Sequence, residues 1–278
     1  ASDVYKRQVE KLEEYYKTYN NYNELISYRL GFHAEYTTKR EILEGISELA
    51  QKYKAPVFTH SSETKSEVEG CIERYGKTPT ELFEEIGLWN WGGGGYHSVW
   101  LSGNDLQIYK KRGLWAIINA GSNSKLASGI CDVQKMSNMG INLAVGTDGP
   151  SSNNALDMFR EMYLISVLQK LKYNDAAAMD ANEILKAATS GSAKCMGLTD
   201  CDCIAEGKLA DLMIIDLERP NMQPINNITK NLVYSGSKDD VKMTMINGKI
   251  LYENGEFVNI DKEEIYAKAQ EICNRLKN

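Results

Sequence analysis

His33, His60 and His97 are the only histidines in the chain, and each falls where an apolar run breaks into polar residues. His60 closes APVFTH and is followed by Ser61, Ser62 and Glu63. His97 sits in GYHSVW, and Asp148 stands in AVGTDGP behind Leu143, Ala144 and Val145. Taken singly, each is an ordinary polar residue at a strand end. Taken together, two imidazoles and a carboxylate form a donor set for a first-row divalent metal with open positions, zinc above all. Bound zinc lowers the pKa of water enough to supply hydroxide near neutral pH. An aspartate beside it can accept the water's proton, a histidine can hold the attacking oxygen, and Glu63 can act as acid toward a substrate nitrogen. That chemistry is hydrolytic displacement at an electron-poor carbon.

Other features carry less. Ser122, Ser124 and Lys125 in INAGSNSKLASGI could contact a substrate or simply make a loop polar. Gly92 to Gly95 lack the strand–turn–helix setting of a dinucleotide fingerprint and read as a flexible loop. Trp89, Trp91, Trp100 and Trp115 read as core or rim aromatics. No GxxxxGK[ST] motif occurs, and the six cysteines hold no CxxC pair, Cys201 and Cys203 being only two apart. They read as reduced thiols of a cytoplasmic protein.

The elements that must hold the chemistry alternate. Helical segments are expected over 9–26, 39–54, from Ser66 to about Tyr75, over TPTELFEEIGL and DLQIYKKRG, at QKMSNMG, and over about 153–172 and 180–196. Strands are expected in SYRLGFHAEYT, APVFTHSSE, YHSVWLS, LWAIINAGSN and INLAVGTDGPSSNN. Strand ends near 33, 60, 97, 119 and 148 follow the rhythm of a (β/α)8 barrel, whose chemistry lies on the loops after the carboxyl ends of its strands. Five ends are visible where a closed barrel needs eight. The expectation is an α/β fold, a partial TIM-type barrel counted from strand 4 to strand 8 and spanning 27–205. Beyond about Gly207, GKLADLMIIDL, NLVYSG and KMTMINGKILYENGEF read as strands. Tight turns at Asn247-Gly248 and Asn254-Gly255 make 206–260 a small β module. An amphipathic helix is expected over 261–278. Residues 1–26 are read as a helix preceded by a tail, ASDVYKRQ, foreign to the rest.

Composition narrows the partners. With 32 basic and 38 acidic residues the net charge is −6, so a nucleic-acid phosphate surface is not expected. No apolar run approaches the ~18 residues of a membrane span. The implied partner is a small molecule, with a homo-oligomer open.

The motifs GFHAEYT, FTHSSETKSEVEGCIERYGKTP, YHSVWLS, NAGSNSKLASGI and GTDGPSSNNALDMFREM resemble the amidohydrolase superfamily. Within it they are similar to the 5-methylthioadenosine/S-adenosylhomocysteine deaminases and the chlorohydrolase-like group. EGKLADLMIIDL and MINGKILYENGEF resemble that family's C-terminal β module. The resemblance runs from about residue 27 to the end. It implies that His60 and Asp148 are metal ligands, Asp148 serving also as base. It implies further that Glu63 protonates the purine ring, that His33 contacts substrate, and that His97 orients the metal-bound hydroxide rather than ligating. The implied cofactor is one zinc ion, with iron or manganese as substitutes.

The sequence departs from the family in lacking the His-Xaa-His pair of the first strand and the upstream glutamate and arginines that contact ribose and amino-acid carboxylate. NPSSN reads NAGSN, and AHC reads YHS. The resulting expectation is metal-dependent deamination of methylthioadenosine, S-adenosylhomocysteine or adenosine. The alternatives are a guanine or triazine deaminase, a chlorohydrolase, or an inactive truncated fragment with negligible zinc.

Overall fold

The computed structural model describes residues 2–277, with side chains from Lys6 to Lys277. Ala1 of the expected tail and Asn278 of the expected terminal helix lie outside the described residues. The chain divides into two compact units, one ending at Gly197 and one beginning at Leu198.

The first unit is a run of β/α repeats. Helix α1 (Ser2–Tyr19) leads to β1 (Leu30–Gly31), α2 (Arg40–Tyr53), β2 (Val57–Ser61), α3 (Lys65–Tyr75), α4 (Pro79–Glu85), β3 (Gly93–His97), α5 (Gly103–Arg112) and β4 (Trp115–Ile118). Then come α6 (Ala120–Lys125), α7 (Val133–Asn138), β5 (Asn142–Val145), α8 (Pro150–Asn153), α9 (Met158–Tyr173), α10 (Ala181–Lys186) and α11 (Ser192–Cys195). The strands form one parallel sheet in the order β1-β2-β3-β4-β5. Strands joined through helices return in the same direction, so every carboxyl end lies on one side of the sheet.

Local chemistry explains the helices. Leu43, Ile46, Leu49 and Ala50 bury one face of α2. Against α2 packs α1, where Val9 meets Gly45 and the Tyr16 ring lies 4.9 Å from that of Tyr53. Thr64, Thr78 and Ser102 cap α3, α4 and α5 by accepting N–H bonds from the third residue of each helix. Gly76 and Gly113 end α3 and α5 in the left-handed conformation.

Several expectations are corrected. The helix expected over TPTELFEEIGL is the shorter α4, capped by Thr78 with Pro79 at the first helical position and ending at Glu85. The strand expected in YHSVWLS lies earlier, because the glycine run is itself strand: Gly93, Gly94 and Gly95 are buried in β3 and paired with β2. A Cβ at Gly93 would stand 1.8 Å from Val57 O, and one at Gly94 2.5 Å from Trp115 O, so close strand approach demands glycine there. LWAIINAGSN leaves the sheet at Ile118 and turns into α6. The helix expected to run unbroken to 196 widens to a π-helical turn over Ala187–Gly191, where Gly191 lies against Leu143 O of β5. Ser192 then places its hydroxyl against the free edge of β5, accepting Val145 N–H at 3.1 Å.

The second unit holds an antiparallel sheet, β6 (Leu212–Ile215), β7 (Val241–Ile246), β8 (Lys249–Glu253) and β9 (Glu256–Phe257), in that order. Asn247-Gly248 and Asn254-Gly255 make its turns with positive φ at all four residues. NLVYSG is not a strand but part of α12 (Ile228–Tyr234), because Asn227 accepts the Lys230 N–H and caps a helix there. The terminal helix is α13 (Lys262–Leu276), capped by Asp261.

Candidate active site

The parallel sheet brings the sequence candidates together. His33 lies two residues past β1, His60 near the end of β2, His97 at the end of β3 and Asp148 three residues past β5. The His33 and His60 rings are 4.7 Å apart, and those of His60 and His97 stack at 5.2 Å. Glu63, on the loop after β2, places Oε2 3.6 Å from His97 Nε2. Its other oxygen accepts the Ser128 hydroxyl at 3.0 Å.

Hydrogen bonds set the imidazole tautomers. His60 Nδ1 is 2.6 Å from the carbonyl oxygen of His33, which can only accept, so Nδ1 carries the proton and Nε2 keeps its lone pair. His97 Nδ1 donates in the same way to Asn123 Oδ1 at 2.7 Å, leaving Nε2 toward Glu63. Burial holds the His97 pKa below the ordinary histidine range, against the pull of Glu63 and Asn123. Burial pushes the Asp148 carboxyl up. The Ser122 hydroxyl on Oδ2 (2.7 Å), the Gly149 N–H on Oδ1 (2.6 Å) and the nearby His97 outweigh it, so its pKa lies below the usual value.

Two carboxylates that the motif reading passed over hold the loops. Glu67 accepts the N–H of Ser62 at 2.8 Å and of Glu63 at 2.7 Å. Thr64-Lys65-Ser66-Glu67 has the S/T-x-x-E form of a capping box, which is the signal that could have found it. Glu161, fully buried on α9, accepts the N–H of Gly121. Asn123 and Ser128 lie within the motif NAGSNSKLASGI, but nothing in that motif pairs them with His97 and Glu63. Of the weaker candidates, Ser122 binds Asp148, Ser124 is exposed, and Lys125 donates to Ser151 O. Trp89 is buried, and Trp100 donates to Ser128 O.

The backbone is constrained at these candidate residues. Ser62, His97, Ser98 and Asp148 all have left-handed φ, between 50° and 70°. For residues with a Cβ this conformation is strained and concentrates at functional sites. Ser62 Oγ is also buried without a hydrogen-bond partner among the described residues.

The donor set tests the zinc expectation. Among the described residues, no three His, Cys, Asp or Glu groups stand close enough to hold one ion. The set of His60, His97 and Asp148 read from residue types is therefore corrected: both His97 nitrogens face other partners, Asn123 and Glu63. The described donors alone do not make a zinc site.

Comparison with known proteins bears on the same residues. The model of the amidohydrolase family matches residues 2–251. A 5-methylthioadenosine/S-adenosylhomocysteine deaminase of Pyrococcus furiosus is 41% identical over 262 residues, covering 94% of this chain and 62% of that protein. A 5'-deoxyadenosine deaminase of Methanopyrus kandleri is 35% identical, covering 99% of this chain and 64% of that one. The crystal structure of an adenosine deaminase from Xanthomonas campestris with bound zinc superposes with a TM-score of 0.91 at 32% identity. That match covers 96% of this chain and 61% of the other. The chain spans roughly three fifths of the length of the curated relatives it matches. From the family match over most of its length, the chain belongs to the amidohydrolase family.

Proposed function

We propose that the chain carries the proton-handling part of a hydrolytic adenine-nucleoside deaminase. Water adds to C6 of the purine, the 6-amino group leaves as ammonia, and the inosine analogue remains. The substrate is methylthioadenosine, S-adenosylhomocysteine or adenosine, a reading supported by the names of the relatives. The observation that carries it is the convergence of Glu63, His97 and Asp148 on one side of the sheet. Glu63 delivers a proton to the ring nitrogen and recovers one from the new C6 hydroxyl as the carbonyl forms. Asp148, kept ionised by Ser122 and Gly149, takes a proton from the water and passes it to the departing amine. His97, its Nδ1–H fixed on Asn123, presents Nε2 to the water. His33 lines the substrate side.

The zinc of the Xanthomonas structure supports a divalent metal in this reading. His60 Nε2 and the Asp148 carboxylate would be this chain's two donors, and the remaining donors would come from outside the described residues. The five strands are read as strands 4 to 8 of a barrel over 27–205, followed by the β module of 206–260 and the helix of 261–278.

Ammonia release from the three nucleosides tests the reading. It is measured on the 278-residue chain and, in parallel, on the longest reading frame that contains it. Glu63→Gln and Asp148→Asn are expected to lower turnover about 10²- to 10⁴-fold. No ammonia from any of the three, in either form, would sink it.

A further inference from the structure

We propose that Glu161 is a positioning residue for Asp148, its buried carboxylate tying the start of α6 to the loop after β5. The catalytic role given to Asp148 rests on the deaminase reading above.

Glu161 lies in the first turn of α9, fully buried, on a helix capped by Asp157. Its Oε2 accepts the Gly121 N–H at 2.8 Å, and its Oε1 accepts Asn153 Nδ2 at 2.7 Å. The same Asn153 Nδ2 donates to Thr147 O, again at 2.7 Å, and Thr147 is the residue before Asp148. On the other side, Ser122 follows Gly121 and donates to Asp148 Oδ2. Asp148 is thus held from both directions, through its side chain by α6 and through its preceding carbonyl by Asn153, and both holds lead back to one carboxylate.

Two details show that the arrangement is selected by geometry. A Cβ on Gly121 would stand 2.3 Å from Glu161 Oε1 and 2.7 Å from Asn153 Nδ2, so the carboxylate reaches this place only because residue 121 has no side chain. Asn153 Oδ1 is buried without a partner among the described residues, so its two Nδ2 bonds alone decide how the amide faces. Glu161→Gln would set an NH2 group against either the Gly121 N–H or the Asn153 NH2. Asn153 could turn its oxygen to the new amide, but Thr147 O would then lose its donor.

The test uses Glu161→Gln, the double variant Glu161→Gln/Asn153→Asp, and Asn153→Ala. The double variant restores a donor–acceptor match between 161 and 153 while leaving Thr147 O without a donor. Steady-state deamination of methylthioadenosine is measured alongside thermal midpoints and amide exchange at Gly149, whose N–H donates to Asp148. In Glu161→Gln, kcat should fall about 10- to 100-fold with KM held within about twofold, as for other residues that orient a reacting group. Gly149 exchange should accelerate. The double variant should recover its midpoint but not kcat. Recovery of kcat together with the midpoint would overturn the proposal, since Glu161 would then act only on stability. If Glu161→Gln fails to fold, Asn153→Ala decides, because it removes the bridge from Glu161 to Thr147 O and leaves the Glu161–Gly121 bond in place; unchanged kcat there refutes the idea. If the unmodified protein deaminates nothing, the deaminase reading fails separately. Gly149 exchange then tests the positioning claim, which unchanged exchange in folded variants would overturn.

Discussion

The substitution Gly93→Ala probes how closely β2 and β3 approach. The added Cβ would stand 1.8 Å from Val57 O and 2.7 Å from Val57 N and C, all backbone atoms of the neighbouring strand. No flexible side chain can yield, so the strands must separate by well over an ångström where Val57 pairs with Gly93. Forced overpacking of this kind costs about 1–3 kcal/mol. The φ of +119° adds strain of about 1–3 kcal/mol for any residue with a Cβ. Gly92→Ala is the control. It too has positive φ, +80°, but nothing lies within 4 Å of its Cβ, so it bears only conformational strain of about 1–2 kcal/mol. Urea unfolding followed by circular dichroism should place Gly93→Ala below Gly92→Ala by about 1–3 kcal/mol with the slope unchanged. Should Gly93→Ala not fold, Gly95→Ala serves: its Cβ would meet Tyr109 Oη at 2.1 Å, and Tyr109→Phe in the same chain should return part of the loss. Equal midpoints for Gly92→Ala and Gly93→Ala, or no recovery with Tyr109→Phe, would refute the close-packed strand account.

Thr78→Ala removes both the cap of α4 and the hydroxyl that donates to buried Asp105 at 2.5 Å, and should cost about 1–2 kcal/mol in urea unfolding. Burial pushes the Asp105 carboxyl above its ordinary value, against the Thr78 hydroxyl and the Ser102 N–H. The folded state then holds that proton more tightly than the unfolded state, so this group's contribution to stability grows as pH falls from neutrality. The stability of wild type minus that of Asp105→Asn should accordingly rise as pH falls from neutrality toward the ordinary aspartate pKa of about 4, and a fall in that difference would contradict the sign. Ser192→Ala leaves the buried Val145 N–H without its partner and should cost about 1–3 kcal/mol. Hydrogen exchange at the Val145 amide reads that change directly.

Much of the site was legible because its residues obey a simple rule. His60, His97 and Asp148 are polar groups placed where apolar strands end, and a parallel sheet sends all such ends to one side. What escaped were groups whose importance depends on contacts distant in sequence. Glu161 reaches Gly121 across 40 residues, and Ser128 reaches Glu63 across 65. No local pattern encodes such pairings. The glycine run misled because absence of side chains has two physical uses, freedom and proximity, and only the neighbouring backbones of Val57 and Trp115 show which applies. NLVYSG misled because its apolar residues suit a strand, while the Asn227 side chain offers the backbone a better start as helix. The separation of His97 from a three-donor set likewise depends on Asn123, a partner 26 residues away.

The left-handed residues around the site have a bearing on engineering. At His97 and Asp148 a glycine would relax the backbone but delete the imidazole or carboxylate to which the proposed reaction assigns a role. Ser62 is different: it shares the conformation, yet its hydroxyl is buried with no described partner and is assigned no proton to move. Ser62→Gly would therefore remove two unfavourable terms, offset in part by the freer unfolded chain, for a net gain of about 1 kcal/mol. A reserve for stabilising the fold thus lies one residue from Glu63, held in place by the same carboxylate, Glu67, that grips both backbone amides.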